Sequence, residues 1–139
     1  MTVPAACVIV ADRHPTLLCA LKRMLEPQFE VIAMVDNVVS LIAALGAQTP
    51  DAIVLDVSMH AEGGRHLARH LARAHPRTPI ILIEDDPDET GSGVPGCRTV
   101  PKSQAAYLLR ESVAAAIHAA STCDSREECD DPGPPGSGD

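Results

Sequence analysis

Asp51-Ala52-Ile53-Val54-Leu55-Asp56-Val57-Ser58-Met59 decides how the rest of the chain is read. From Ala52 to Leu55 there is no polar break, and a short apolar run rich in β-branched residues reads as a strand buried on both faces. The run ends on a carboxylate. Central strands of an open parallel sheet point their carboxyl ends at the crevice where ligands bind, which makes Asp56 a candidate reactive group. An Asp in that place can equally cap a helix or open a turn.

Working outward, Cys7-Val8-Ile9-Val10-Ala11 repeats the pattern and ends at Asp12. Leu17, Leu21, Met24 and Leu25 then recur at helical spacing until Pro27. Phe29 to Met34 reads as a second strand with Glu30 exposed. Val38, Leu41, Ile42 and Leu45 form the inner face of a second helix, with Asp36 or Asn37 as N-cap and Gly46 just past its end. After the central strand, Gly63-Gly64 opens a helix over roughly 65–74, with Leu67, Leu71 and Ala74 inward. Ile80-Ile81-Leu82-Ile83 is a buried strand ending at Glu84, and Cys97 to Val100 is a fifth strand ending at Pro101-Lys102. Ser103 caps a last helix whose stripe is Leu109, Val113, Ala116, Ile117 and Ala120.

Strands alternating with helices imply parallel pairing through right-handed crossovers. The expected fold is α/β, a doubly wound five-stranded parallel sheet. Residues 85–96 interrupt the alternation: two prolines, three glycines and four acids refuse the helix that belongs there. From Ser121 the chain turns acidic and then rich in Pro and Gly, so 121–139 reads as a disordered tail or linker behind a domain at 5–120.

Charge and composition narrow the function. A formal net charge of −8 and only two aromatics, Phe29 and Tyr107, leave neither a basic face nor a stacking platform for nucleic acid. No hydrophobic run reaches the length of a membrane span, and the N-terminus lacks a basic n-region, so a cytoplasmic protein is expected. The five cysteines show no metal-type spacing, Cys123 and Cys129 included. Cys7 and Cys19 fall on apolar positions and are expected to be packed, reduced thiols.

Val10-Ala11-Asp12-Arg13-His14-Pro15, Leu55-Asp56-Val57-Ser58-Met59 and Val100-Pro101-Lys102 together resemble the receiver domain of bacterial response regulators. His14-Pro15 is most similar to the NarL/FixJ-type branch, and Gly64, eight residues after Asp56, also fits. The resemblance implies a flavodoxin-like strand order 2-1-3-4-5 and a signalling role in a two-component phosphorelay rather than an enzyme's. It implies that Asp56 accepts a phosphoryl group from a partner histidine kinase. Asp12, Asp56 and the backbone carbonyl of Ser58 would hold Mg²⁺, and Lys102 would contact the phosphoryl oxygens. A DNA-binding output domain would lie outside this chain. Positioning and charge neutralisation are what phosphoryl transfer chiefly requires.

The chain departs from that pattern where the chemistry is most demanding. Arg13 occupies the second acidic slot, Glu84 the Thr/Ser slot, Thr99 the aromatic switch position and His60 the usual proline. Lys102 follows Glu84 by 18 positions, about a helical turn short of the family pattern, so the family's fourth helix is expected to be shortened or missing. A guanidinium in place of a carboxylate weakens a Mg²⁺ site. Arg13 is expected to pair with Asp56, Asp12 or Glu84 instead. The resulting expectation is an atypical receiver, poorly phosphorylated on Asp56, with phosphorylation-independent binding of a protein or small ligand as the alternative.

Other chemistries fit less well. A haloacid-dehalogenase-like phosphatase wants a second Asp where this chain has Ser58, and a flavin phosphate loop cannot be built from Arg13-His14-Pro15. His66 and His70 have chelating spacing, with His60 or Glu62 to complete a site, but Arg65, Arg69 and Arg73 on the same helix disfavour a divalent ion. That basic stripe reads as a solvated face or a dock for an acidic partner.

Overall fold

The pattern of burial fixes which strands are central. In a computed structural model of the chain, residues 5–26, 28–59, 64–85 and 97–130 are described, with side chains described as far as residue 120. Every residue of β3 (Ala52–Asp56) and β4 (Ile80–Glu84) is buried. β1 (Ala6–Ala11) is buried over its last four residues. β2 (Phe29–Val35) and β5 (Cys97–Pro101) carry exposed positions and form the edges. The sheet runs β2-β1-β3-β4-β5 with every neighbouring pair parallel. This is the expected flavodoxin-like order, with the chain's switch point between β1 and β3.

The two-residue period of the strands divides the core into two layers. Val8, Val10, Val54, Ile81 and Ile83 pack with α1 (Pro15–Leu25) and α4 (Ala105–Asp130). Ile9, Ile53, Leu55, Ile80 and Leu82 pack with α2 (Val38–Ala47) and α3 (Gly64–Ala74). No helix among the described residues is long and apolar enough to cross a membrane.

Several expectations about the helices need correction. In α1 it is Leu18, with Leu21 and Leu25, that is buried, while Leu17 and Met24 are half-buried at a cleft. Asn37 is the N-cap of α2, its Oδ1 accepting the Ser40 amide at 2.8 Å, but Gly46 lies inside the helix, which ends at Ala47 with Gln48 as C-cap. Ile42 is 48% exposed, because turning Leu41 and Leu45 to the sheet carries their neighbour round to the solvent side. In α3 the inward residues are Leu67, Ala68 and Leu71, and Ala74 is exposed. Ser103 is exposed within a 3-10 turn, Lys102–Gln104, that leads into α4. That helix continues to Asp130 rather than stopping near 120, since no Gly or Pro breaks it before Pro132. Cys7 is half-buried, but Cys19 is exposed and not packed as expected. The expectations for 85–96 and for the last nine residues fall, apart from Asp85, outside the described residues.

Gly64 ties α3 to the turn that follows Asp56. A Cβ there would run into the Val57 carbonyl and Cα, so the glycine is required by close approach of two backbone segments. Gly64→Ala is expected to destabilise the protein by about 2 kcal/mol or more. Denaturant unfolding monitored by circular dichroism checks this, with an unchanged midpoint as the contrary result.

Candidate functional site

Asp12 and Asp56 end their strands in the same local way. Asp12 Oδ1 accepts the His14 amide at 2.9 Å, and Asp56 Oδ1 accepts the Ser58 amide at 2.8 Å. Each carboxylate thus closes a turn onto the amide two residues on, an arrangement that Asp favours. Both side chains are 1% exposed. Because β1 and β3 are neighbours in the sheet, the two turns stand side by side, and both carboxyl groups line one cleft. Burial, and after it the nearby Asp56 carboxylate, pushes the Asp12 carboxyl above its ordinary value, against the lowering effect of the His14 amide.

Lys102 arrives from the end of β5. Its Nζ is 3.3 Å from Asp56 Oδ2 and 3.7 Å from Asp85 Oδ1. Burial pulls the ammonium pKa down, but the neighbouring Asp56 and Asp85 carboxylates outweigh it and the net shift is upward. Asp12, Asp56 and Lys102 therefore meet in one cleft, of about 360 Å³ with its open mouth, walled by Leu17, Leu21 and Met24 of α1. His14, largely exposed, stands at the rim with Nδ1 3.2 Å from Asp12 Oδ1.

Glu84 is buried at the end of β4, yet its partner is one the sequence did not point to. Arg65 Nε and Nη2 lie 2.9 Å and 2.5 Å from Glu84 Oε1, so the first turn of α3 is pinned to the sheet edge. This overturns the expectation for Arg13, which is exposed and takes part in none of the ion pairs found among the described residues. The physical reason is position. Pro15 starts α1 immediately beyond, and Asp12 is already satisfied by the amide of His14. Arg65 was legible only as part of a solvated basic stripe, since its contact spans 19 residues.

The remaining sites divide as follows. Thr99 is half-buried in β5 opposite Leu82 and does not line the cleft. His60 lies outside the described residues. Ser58 Oγ is buried without a hydrogen-bond partner among the described residues. His66 and His70 are exposed, and the described residues hold no group of three or more His, Cys, Asp or Glu placed for a metal ion. For Mg²⁺ the cleft offers two adjacent carboxylates, and Ser58 stands beside them. Mg²⁺ sites use one or two carboxylates with retained water. The donors fit such an ion, but the third acidic position is Arg13.

A family model described as the response regulator receiver domain matches residues 8–90. The transcriptional regulatory protein DegU of Brevibacillus brevis is 25% identical over 112 residues, 79% of this chain and 46% of that protein. The chain therefore spans about half the length of this curated relative. NtrX from Brucella abortus superposes with a TM-score of 0.80 at 18% identity, covering 94% of this chain and 31% of that one. The isolated REC domain of RcsB from Salmonella enterica serovar Typhimurium gives 0.70 at 23% identity, covering 82% and 89%. At such identities the structures speak to the fold.

The Asp12 shift has a consequence for stability. A carboxyl raised above its ordinary value of 3.8 in the folded state binds its proton more tightly there than in the unfolded chain. Its contribution is intact below 3.8 and is lost as pH rises through the folded-state value. Asp12→Asn is therefore expected to raise the melting temperature at pH 7, with the gain disappearing below pH 3.8. Melting curves across that range check it, and a variant less stable at pH 7 would contradict it.

Proposed function

Because the chain belongs to the response regulator receiver domain family, we propose that it is an atypical receiver in which Asp56 is a poor phosphoacceptor. Receivers of two-component response regulators are signalling modules that generally do no catalysis of their own. In this reading Asp56 attacks the incoming phosphoryl group and Lys102 neutralises the transferred oxygens. Asp12, Asp56 and the Ser58 carbonyl would hold Mg²⁺, which supplies further charge neutralisation when bound. A histidine kinase is the proposed phosphoryl donor, a DNA-binding output domain outside these residues the proposed effector, and the cytoplasm the proposed location.

What supports the atypical character is the Arg65–Glu84 pair. Where a receiver of ordinary pattern carries a small hydroxyl free to turn towards the phosphoryl group, this chain carries a buried carboxylate tied to α3. Glu84 cannot donate a hydrogen bond while ionised, so the hydroxyl contact of the ordinary pattern is absent. Arg13 supplies no metal ligand. Regulation without phosphorylation, by a bound protein or small ligand, is the second reading, and the open cleft beside Asp56 favours it.

Acetyl phosphate labelling followed by intact mass separates the two. The unmodified chain is expected to label weakly on Asp56, and Asp56→Asn to abolish the signal. Arg13→Asp with Glu84→Thr together should raise labelling about tenfold or more in Mg²⁺, by more than either change alone since the positions share one edge. Robust labelling of the unmodified chain would overturn the proposal.

A further inference from the structure

Helices α3 and α4 each carry a run of like charge, and the two runs match. Residues 64–83 hold four of the chain's eleven Lys and Arg, at 65, 69, 73 and 77, and no Asp or Glu. Arg65 turns to Glu84. Further along α3, Arg69, His70 and Arg73 are exposed, and none of them joins an ion pair found among the described residues. Leu67, Ala68 and Leu71 hold the inner side of α3 against the sheet, so these three residues form its outer face.

The opposite charge lies at the far end of α4. That helix continues to Asp130, and its last stretch contains Asp124, Glu127 and Glu128. Spacings of three and four place these on one face of a helix, with Arg126 on the other. No basic residue stands in the last turn, where the helix dipole favours cations and disfavours carboxylates. Like charges three and four apart also weaken a helix. Both repulsions are relieved when one run faces the other. Taken in opposite directions the intervals are the same: 69, 70 and 73 in α3 against 128, 127 and 124 in α4.

We propose that the end of α4 docks on the outer face of α3 in a second copy of the chain. The two helices lie antiparallel, with Arg69 against Glu128, His70 against Glu127 and Arg73 against Asp124. The fold selects a second copy as the occupant. α4 packs on one face of the sheet and α3 on the other. Among the described residues the buried contacts of α4 end at Ile117, about 20 Å of helix before Asp130. A continuous helix therefore carries residues 124–128 away from the chain's own α3. Exchange in both directions closes the pair about a two-fold axis, each copy giving one α4 end and one α3 face. Exposed ion pairs are individually weak and are screened by salt. The dimer is accordingly concentration-dependent and favoured at low ionic strength. It is independent of the chemistry at Asp56.

Sedimentation equilibrium of the full chain over about 1 to 500 µM reads the association. The mass is expected to climb towards the dimer in low salt and to fall back to the monomer in about 1 M salt, where the screening length is roughly 3 Å. Arg69→Glu with Arg73→Glu should weaken association at least about tenfold with circular dichroism unchanged. Asp124→Lys with Glu127→Lys and Glu128→Lys should do the same. Mixing the two variants in equal amounts should restore a dimer, because the reversed α3 then meets the reversed α4 end and the two unaltered runs meet each other. A monomer throughout the range, as docking within one chain would give, would overturn the proposal. So would a dimer that both reversals leave intact, or variants that fail to associate when mixed.

Discussion

Three carboxylates, Asp12, Asp56 and Glu84, are buried along one edge of a parallel sheet, and the arrangement around them follows from that load. Burying a carboxylate without partners is costly. Each is answered differently: Asp12 by the amide and ring of His14, Asp56 by the Ser58 amide and Lys102, Glu84 by Arg65. These partners come from separate segments of the chain. Satisfying the charges therefore binds the β1–α1 turn, the turn after β3, the start of α3 and the end of β5 into one assembly.

That assembly keeps the receiver fold and holds the end of β4 with a charge pair. Lys102 stands between Asp56 and Asp85, within reach of both. Arg65 instead directs both Nε and Nη2 at one oxygen of a Glu84 that is nearly closed to solvent. A hydrogen bond between two ionised groups is among the stronger contacts a protein makes. This pair occupies the end of β4. It braces that end to α3, and the cleft at the end of β3 brings Asp56 and Lys102 together.

Most of the fold was legible in the sequence, because apolar runs ending on Asp12, Asp56, Glu84 and Lys102 marked both the strands and the sheet edge they share. The convergence of Asp12, Asp56 and Lys102 could be read for the same reason. Arg65 could not: helical spacing places Arg65, Arg69 and Arg73 together as a wet stripe, and nothing local says that the first of them turns to Glu84. Arg13 misled because adjacency in sequence to Asp12 is not adjacency in space once Pro15 starts a helix. Ile42 was assigned to the core because α2 is apolar on more than one side, which blunts the periodicity. The helix beyond residue 120 was missed because acidic composition weighed more than the absence of a breaker before Pro132.

The proposed Mg²⁺ site is a weak one, because Lys102 already answers Asp56 and Arg13 stands where a further acidic residue would be. Titration of Mg²⁺ followed by amide chemical shifts of Asp12, Asp56 and Ser58 tests it most directly. The account predicts small shifts with no saturation below about 10 mM. Saturable binding at or below about 1 mM, centred on those three residues, would contradict it.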